Sequence, residues 1–391
     1  MLPAYPELTA RLDETGTDGY LLDAGGEDGD QYYLSGFDAP GSFRTLYTDG
    51  EIRLLVPDLE YARASSDSDG DSVRRFSAFD YGERVLEHGS RKAGPLTTAA
   101  FLDECGIDSV SVPTAFPTGT ADVLRDRDIG VVPDYDDAVG SIRAVKTDAE
   151  IEHIATTQRA AEAAMAAAEG TFERATVEAG VLRLDGEAVT SERVRRTIET
   201  TLLERSCRTA TCIVASGAES AHGHAVGSGP IEANEPVIVD IAPQHEQSRY
   251  FGDVTRTFVK GEPGAKIEEW YALVREAHEA ALETIQPGVA GEEVNHRVCD
   301  VFEREGYPTL RTDETTEDGF TSATGHGVGL DLHERPKLSW GGGELRPGHV
   351  VTVEPGLYER GFGGVRLEDL LVVTETGCEN LNDYPRDLGV V

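Results

Sequence analysis

The sequence is poor in basic residues, and lysine is especially scarce. Its 391 residues include 35 lysines and arginines, only five of them lysine, against 72 aspartates and glutamates, so the formal net charge is -37. A surface with this excess of negative charge repels nucleic acids and anionic membranes, and neither is expected as a partner. Acidic, lysine-poor surfaces also suit concentrated salt, in which charges are screened over a few ångströms. We therefore expect a protein from a halophilic cytoplasm.

Cysteine and long apolar runs are scarce as well. The five cysteines lack the CxxC spacing of metal sites, and a chain of this length does not depend on disulfides, so we expect reduced thiols. No apolar run approaches the roughly 18 residues of a membrane-spanning helix, and the N-terminal residues lack the basic and apolar regions of an export signal. These absences predict a cytoplasmic protein with no membrane partner.

The length and a change of pattern near residue 143 predict two domains of mixed α and β structure. Residues 1–142 alternate short apolar runs with helical patterns, and Asp49-Gly50 has the composition of a tight hairpin turn. Residues 143–391 open with a capping box, Thr147 and Glu150, ahead of an alanine-rich helix. The acidic segment that starts at Ser65 is interpreted as a solvated loop, because it lacks the closing glutamate of a calcium loop.

Two aspartates interrupt an apolar, β-branched stretch between Pro236 and Val259. Asp240 and Asp253 each stand in a run typical of buried strands, and the polar segment midway between them is a candidate turn. An antiparallel hairpin with that turn would place the two carboxylates opposite each other on one face. Burial of an ionised carboxylate is unfavourable by roughly several kcal/mol unless a cation or partner compensates it. The pair therefore indicates either a metal site or an ordinary hairpin with solvated aspartates.

Three later residues have the same character. His326 lies among glycines that would let the backbone bend and approach a ligand closely, while Glu354 and Glu368 stand within apolar strands. Together with the two aspartates they could hold two divalent cations. Oxygen-rich ligation favours manganese, with cobalt, iron and zinc as alternatives. Two such ions can activate a bridging water and stabilise charge on a carbonyl oxygen, which suits amide hydrolysis.

The motifs around these residues resemble those of the pita-bread metallopeptidases, the M24 family that includes methionine aminopeptidase, aminopeptidase P and prolidase. The segments DIAPQHEQSRYFGDVTRT, GHGVGLDLHERP, EPGLY and GGVRLED follow the order of the family's ligand motifs. The first half resembles the creatinase-like N-terminal domain in YYLSGFDAPGSF and LLVPDLEYARA. The resemblance implies a pita-bread catalytic domain, with a curved, mainly antiparallel sheet flanked by helices, after a creatinase-like α/β domain. It implies five metal ligands: Asp240, Asp253, His326, Glu354 and Glu368.

Further roles follow from the resemblance where the motifs match. His224 in SGAESAHGH and His333 in LDLHERP correspond to histidines that contact the substrate and stabilise the tetrahedral intermediate. Glu354 corresponds to the residue that carries a proton to the leaving nitrogen. Arg366 and Tyr358 correspond to residues that orient and hydrogen-bond the substrate.

The sequence departs from the family pattern at two of these motifs. Ser322 stands four positions before His326, where many aminopeptidase P and prolidase members have another histidine. Gly223 replaces the proline that usually precedes the catalytic histidine. A serine at position 322 would change a substrate contact, and thereby specificity, without touching the metal ligands.

The resemblance implies a homodimeric exopeptidase that hydrolyses the Xaa-Pro bond of short peptides through a hydroxide bridging two Mn²⁺ ions, or Co²⁺, Zn²⁺ or Fe²⁺ in their place. It does not distinguish an Xaa-Pro dipeptidase from an Xaa-Pro aminopeptidase. A non-peptidase hydrolase or lyase on the same fold, and a non-catalytic binding protein, are the alternative interpretations.

Overall fold

The computed structural model describes residues 5–391, which form two compact units that divide between Arg143 and Ala144. The first unit contains helices and strands in the order α1 Pro6–Thr15, β1 Gly19–Ala24, α2 Gly29–Ser35, β2 Phe43–Thr48, β3 Glu51–Val56, α3 Tyr61–Asp67, β4 Ser72–Arg75, α4 Tyr81–His88, α5 Ser90–Cys105, β5 Ser109–Pro113, α6 Thr118–Arg125, β6 Gly130–Asp134 and α7 Ala138–Ala144.

The first unit is built on one mixed sheet in the order β4-β3-β2-β1-β5-β6. The predicted turn joins β2 to β3, and both Asp49 and Gly50 have the positive φ angles that a tight hairpin requires. The acidic segment from Ser65 is solvent-exposed, as expected for a solvated segment, but it is not all loop. Its first three residues complete helix α3, because the apolar side of that helix at Ala64 packs into the core.

The second unit contains four long helices and fourteen short strands, within the described residues: α8 Asp148–Arg174, β7 Thr176–Glu178, β8 Val181–Leu184, β9 Glu187–Ala188, α9 Ser191–Leu203, β10 Cys207–Ser216, β11 Val237–His245, β12 Val254–Val259, α10 Ala265–Thr284, α11 Gly291–Arg304, β13 Gly325–Gly327, β14 Glu334–Leu338, β15 Val350–Val353, β16 Gly356–Glu359, β17 Gly363–Arg366, β18 Asp369–Thr374, β19 Gly377–Asn380 and β20 Gly389–Val390. The predicted capping box is confirmed, since Thr147 and Glu150 exchange both hydrogen bonds at the start of α8.

Within the described residues, the second unit contains four sheets, and the two larger ones each pack against a pair of helices. The first sheet has the order β10-β11-β12-β20 and packs against α8 and α9 through residues such as Met165 and Phe258. The second has the order β14-β13-β15-β18-β19 and packs against α10 and α11 through Trp270 and Phe302. Almost all of the strand pairs in the two sheets are antiparallel. The mixed α/β fold expected from the sequence is confirmed.

The central hairpin has a different register from the predicted one. Strand β11 pairs with β12 so that Asp240 lies opposite Thr255, and Asp253 is therefore displaced by two residues from the expected position. The turn is closed later than expected, by a hydrogen bond of 3.1 Å from the His245 N–H to the Tyr250 carbonyl. Because side chains alternate with a period of two, the two aspartates still belong to the same face.

None of the helices between residues 5 and 391 combines the length and apolar character that a bilayer crossing requires.

Candidate metal centre

The five predicted ligands come from strands of the second unit and from the bends next to them. Asp240 lies in β11, and Asp253 stands one residue before β12 begins. His326 is the middle residue of β13. The prediction that Glu354 and Glu368 lie within strands is wrong, because Glu354 directly follows β15 and Glu368 occupies the bend between β17 and β18. At these bends the chain leaves one strand pairing for another, which frees the side chains to point toward a common centre.

Four of these side chains are in close proximity. The Nε2 atom of His326 lies 3.3 Å from Oε1 of Glu354 and 3.8 Å from Oδ2 of Asp253. One donor atom each from Asp253, His326 and Glu368 lie within 4.8 Å of one another. This spacing would allow one cation to contact several of them at once.

The fifth predicted ligand, Asp240, is held by an arginine beside this cluster. Oδ2 of Asp240 accepts a hydrogen bond of 2.5 Å from Nη2 of Arg366. The same guanidinium donates to the hydroxyl of Tyr358 at 3.1 Å. Burial raises the pKa of Asp240, and the Arg366 charge opposes that change. The structure thus places Asp240, Tyr358 and Arg366 in one hydrogen-bonded group.

Burial and mutual repulsion oppose the ionisation of two ligands. The pKa of Asp253 is raised well above its usual range, first by burial and then by the charges of Glu368, Asp240 and Glu354. Burial, followed by the charges of Glu354 and Asp240, likewise raises the pKa of Glu368. Both groups would therefore release their protons more readily if a cation lay between them.

Glu354 behaves differently from those two carboxylates. Burial favours its neutral form, but a hydrogen bond and the charge of His326 outweigh burial and lower the pKa of Glu354. Burial also favours the neutral form of His326, but the hydrogen bond and charge of Glu354, together with the Gly327 carbonyl and the charge of Asp240, outweigh burial and raise the pKa of His326. In addition, Nδ1 of His326 lies 3.1 Å from the carbonyl oxygen of Gly327, which can only accept, so Nδ1 carries a proton and Nε2 faces the carboxylates.

The residues at this centre fit a divalent cation. Four carboxylates face one guanidinium and one imidazole, which leaves an excess of buried negative charge. Oxygen donors with one imidazole nitrogen are a donor set that divalent cations such as Mn²⁺ accept. The centre therefore has both the charge and the donor chemistry of a metal site.

The glycines around His326 allow close packing of neighbouring strands. A Cβ atom at Gly325 would lie 2.0 Å from the carbonyl oxygen of Thr352, and one at Gly327 would lie 2.1 Å from that of Arg335. No side chain can be accommodated at such distances. The glycines thus let β13 pack tightly between its neighbouring strands and thereby position His326.

Two threonines that sequence reasoning missed hold the ligands in place. The hydroxyl of Thr255 donates to Oε2 of Glu368 at 2.7 Å, and that of Thr352 donates to Oε1 of Glu354 at 3.2 Å. Thr352 also accepts a hydrogen bond of 3.1 Å from the backbone N–H of His326. The sequence does contain a signal for these threonines. Thr255 follows Asp253 by two residues and Thr352 precedes Glu354 by two, a spacing that directs side chains to one face of an extended chain.

A glutamine that was also missed fixes the backbone of one ligand. Gln158 of α8 donates to the carbonyl oxygen of Asp253 and accepts from its backbone N–H, both at 2.8 Å. A single side chain thus satisfies both backbone groups just before β12 begins. Nothing in the sequence pattern of a helix indicates such a long-range contact.

The two predicted substrate histidines lie at the border of the centre. The ring centroids of His326 and His333 are 4.2 Å apart in an edge-to-face arrangement. Burial, followed by the charge of His326, lowers the pKa of His333. His224 is exposed, and its charge acts on both Asp240 and His333. Next to it, Gly223 faces Arg366, because a Cβ atom there would lie 3.9 Å from Nη1.

The fold and the centre define a metallopeptidase. Residues 152–375 match the model of metallopeptidase family M24, and residues 6–145 match that of the creatinase/prolidase N-terminal domain. The chain belongs to metallopeptidase family M24. Its sequence contains a creatinase-like N-terminal domain followed by the pita-bread fold of that family. Membership implies divalent metal ions, in agreement with the donor set described above.

Several relatives resemble the chain over nearly its whole length. An Xaa-Pro dipeptidase of Pyrococcus horikoshii is 30% identical over 362 residues, which cover 91% of each chain. The solved structure of an Xaa-Pro dipeptidase from Bacillus anthracis has a TM-score of 0.83 and 26% identity, with 99% of each chain covered. That of an X-Pro aminopeptidase from Thermotoga maritima has a TM-score of 0.75 and 25% identity, with 97% of this chain and all of the other covered.

Proposed function

We propose that the protein is a dinuclear metal-dependent exopeptidase that hydrolyses the Xaa-Pro bond of short peptides. The observation that carries the proposal is the cluster of three carboxylates and His326, with a fourth carboxylate, Asp240, beside it. The Xaa-Pro dipeptidases and the X-Pro aminopeptidase among the relatives support proline at the second position. Similar chains include both Xaa-Pro dipeptidases and an X-Pro aminopeptidase. The proposal therefore covers cleavage of dipeptides and of longer peptides as two forms of one activity.

The proposed metal ligands are the five residues predicted from the sequence, Asp240, Asp253, His326, Glu354 and Glu368. Two Mn²⁺ ions are proposed, because the donors are mostly oxygen and four carboxylates with one imidazole could supply enough donor atoms for two ions. When bound, such ions supply an activated water and polarise the scissile carbonyl.

The protein's own side chains have distinct proposed tasks. Glu354 stays ionised because its pKa is lowered, so it can accept a proton from the attacking water and pass it to the leaving nitrogen. His333 stays neutral near pH 7 because its pKa is lowered, so it can donate a hydrogen bond to a developing oxyanion. His224 is proposed to contact the same substrate group. Tyr358 and Arg366 would orient the substrate next to Asp240.

The proposal also assigns tasks to the two predicted domains. Residues 143–391 would form the catalytic domain, and residues 1–142 would form a creatinase-like domain with no catalytic group of its own. A cytoplasmic homodimer is proposed, with short peptides as its only partners.

Peptide turnover by metal-loaded protein tests the proposal directly. Release of the first residue would be measured for Xaa-Pro dipeptides, Xaa-Pro-Yaa tripeptides and proline-free peptides, in high salt with Mn²⁺. We expect hydrolysis of the proline peptides, and the preferred length separates dipeptidase from aminopeptidase. Absence of turnover in protein with two bound ions would refute the peptidase proposal and favour a different reaction or a binding role.

A matched pair of variants tests the ligand set. Glu368→Gln removes a proposed ligand with little change in volume, whereas Glu375→Gln makes the same change at an exposed position in the turn after β18. We expect the first variant to lose bound metal and activity and the second to retain both. Two ions bound at unchanged affinity in Glu368→Gln would contradict the ligand assignment.

A further inference from the structure

A cavity of about 320 Å³ lies beside the metal centre in the second unit. Helix α11, the chain before β13 and the loop after β14 surround it. Its walls include Asn295, Leu310, Arg311, Phe320, Ser322 and Trp340. The volume is at the lower end for small-ligand pockets and suits one side chain better than a whole peptide.

The cavity shares a wall with the metal centre. Thr324 lies between Ser322 and the ligand His326 in the sequence, and its carbonyl oxygen accepts a hydrogen bond of 2.8 Å from the backbone N–H of Glu354. The Thr324 hydroxyl also donates to Oδ1 of Asn295, a residue of the cavity wall, at 2.9 Å. One short segment therefore connects the cavity wall directly to two of the proposed ligands.

The interior of the cavity is mostly apolar and offers no uncompensated charge. Leu310, Phe320 and Trp340 contribute large apolar side chains. The one charged residue in the wall, Arg311, is engaged by carboxylate oxygens of Asp300 and Glu303 at 2.5 Å and 2.6 Å. The cavity thus favours an apolar occupant over a charged one.

Two further features indicate that the cavity is made for a ligand. The hydroxyl of Ser322 is buried and has no hydrogen-bond partner among the described residues, so it is available to the backbone of a peptide whose side chain occupies the apolar part of the cavity. Trp340 is 48% exposed, yet its backbone is held in a tight turn, since the Gly342 N–H donates to the Ser339 carbonyl at 2.9 Å. A half-exposed indole in a fixed turn provides a ready contact surface for an apolar group.

We propose that this cavity binds an apolar side chain of the peptide substrate next to the scissile bond, so that the enzyme prefers large apolar residues at that position. The inference rests on the proposed peptidase function. It goes beyond that function by making Ser322 and Trp340 determinants of substrate size: a small residue at position 322 leaves the cavity open.

Two peptide series test the preference. One varies the first residue before proline (Ala-Pro, Leu-Pro, Phe-Pro), and the other varies the second residue after alanine (Ala-Ala, Ala-Leu, Ala-Phe). We expect kcat/KM to rise at least about tenfold from the smallest to the largest side chain in one series. Ser322→Phe and Trp340→Ala should each abolish that rise, whereas Ser66→Phe, at an exposed position of α3, should leave it intact. A rise in neither series, or one that survives Ser322→Phe, would overturn the inference.

A binding measurement separates this inference from the proposed function. Leucinamide and glycinamide would be titrated into metal-free protein while tryptophan emission is recorded, with Trp340→Phe to assign the signal. We expect a saturable change with leucinamide alone, and its loss in Ser322→Phe. Leucinamide binding without any peptide turnover would refute the proposed function and leave the apolar specificity of the cavity standing. Turnover of proline peptides without leucinamide binding would refute only the cavity inference.

Discussion

Arg256 holds the bend that carries Glu368 in position. Its replacement by methionine is expected to lower both the stability of the protein and its affinity for metal. The guanidinium is almost fully buried, and its Nη2 atom lies 2.8 Å from Oδ1 of Asp369. Its Nη1 atom donates to the carbonyl oxygens of Glu368 at 2.5 Å and of Thr255 at 2.9 Å. One side chain therefore connects β12 with the backbone of a proposed ligand.

The loss of the ion pair sets the size of the effect on stability. Removal of one partner from a buried pair typically destabilises a protein by about 3–5 kcal/mol. Asp369 would keep two other partners, Nε of Arg386 at 2.7 Å and Nδ2 of Asn380 at 2.6 Å. Because these contacts still compensate part of the Asp369 charge, we expect Arg256→Met to lower the free energy of unfolding by about 3 kcal/mol, the lower end of that range.

The same substitution should weaken metal binding. Groups that orient a metal ligand without touching the metal typically contribute about 10- to 100-fold in affinity. Arg256 acts on Glu368 in this way, through the backbone carbonyl of the ligand rather than its carboxylate. We therefore expect a loss of Mn²⁺ affinity within that range.

Denaturant unfolding of metal-free protein and calorimetric titration with Mn²⁺ measure the two effects separately. Arg275→Met is the matched control, because Arg275 is half exposed and its contacts with Glu279 and Asp387 are at the surface, so about 0.5 kcal/mol or less is expected. Arg256→Lys keeps the charge but cannot span all the acceptors, and should fall between wild type and Arg256→Met. Less than about 1 kcal/mol of destabilisation in Arg256→Met, with unchanged affinity, would refute this reasoning.

Three further predictions concern the site, pH and salt. Asp253→Asn should abolish tight Mn²⁺ binding, and an unchanged binding isotherm would contradict its assignment as a ligand. Burial, followed by the charges of Lys146 and Arg346, lowers the pKa of His349 from 6.5 to about 4. As the pH falls, His349 is therefore protonated in the unfolded chain before it is protonated in the folded protein. This difference should lower the free energy of unfolding by about 2 kcal/mol between about pH 7.5 and pH 5. This loss should disappear in His349→Phe, measured as the difference in unfolding free energy between the two pH values. Finally, the net charge of -37 means that acidic side chains repel one another at low ionic strength. Added KCl screens this repulsion, so the melting temperature should rise with KCl concentration. A melting temperature independent of KCl would argue against the halophilic origin expected from composition.

The sequence predicted local features well where the residue types and their spacing determine the structure. The capping box at Thr147 and the turn at Asp49-Gly50 depend on interactions within a few residues, and both are confirmed. The four carboxylates could be singled out because a charged residue in an apolar run is unusual whatever the surrounding fold, whereas the full ligand set with His326 followed from the resemblance to the family motifs. Their convergence is a property of the folded chain that residue types alone do not encode.

Register and long-range contacts could not be predicted in the same way. The hairpin of Asp240 and Asp253 was predicted two residues out of register, because the turn depends on hydrogen bonds between His245 and Tyr250 rather than on the midpoint of the segment. The contact of Gln158 with Asp253 joins residues 95 positions apart. Such contacts follow from the packing of α8 on the sheet, for which a single sequence carries no local signal.

The distribution of the ligands has a consequence for the stability of the second unit. Asp240 lies in the first sheet and Asp253 next to it, His326 lies in the second sheet and Glu354 next to it, and Glu368 lies in the bend between β17 and β18. Bound ions would thus cross-link both sheets, and unfolding of either sheet would release them. By mass action, free metal at about 1,000 times its dissociation constant adds about 4 kcal/mol to the free energy of unfolding. Hydrogen exchange should therefore slow in β11 and β15 together on metal addition, since protection of one sheet alone would mean that the ions do not join the two.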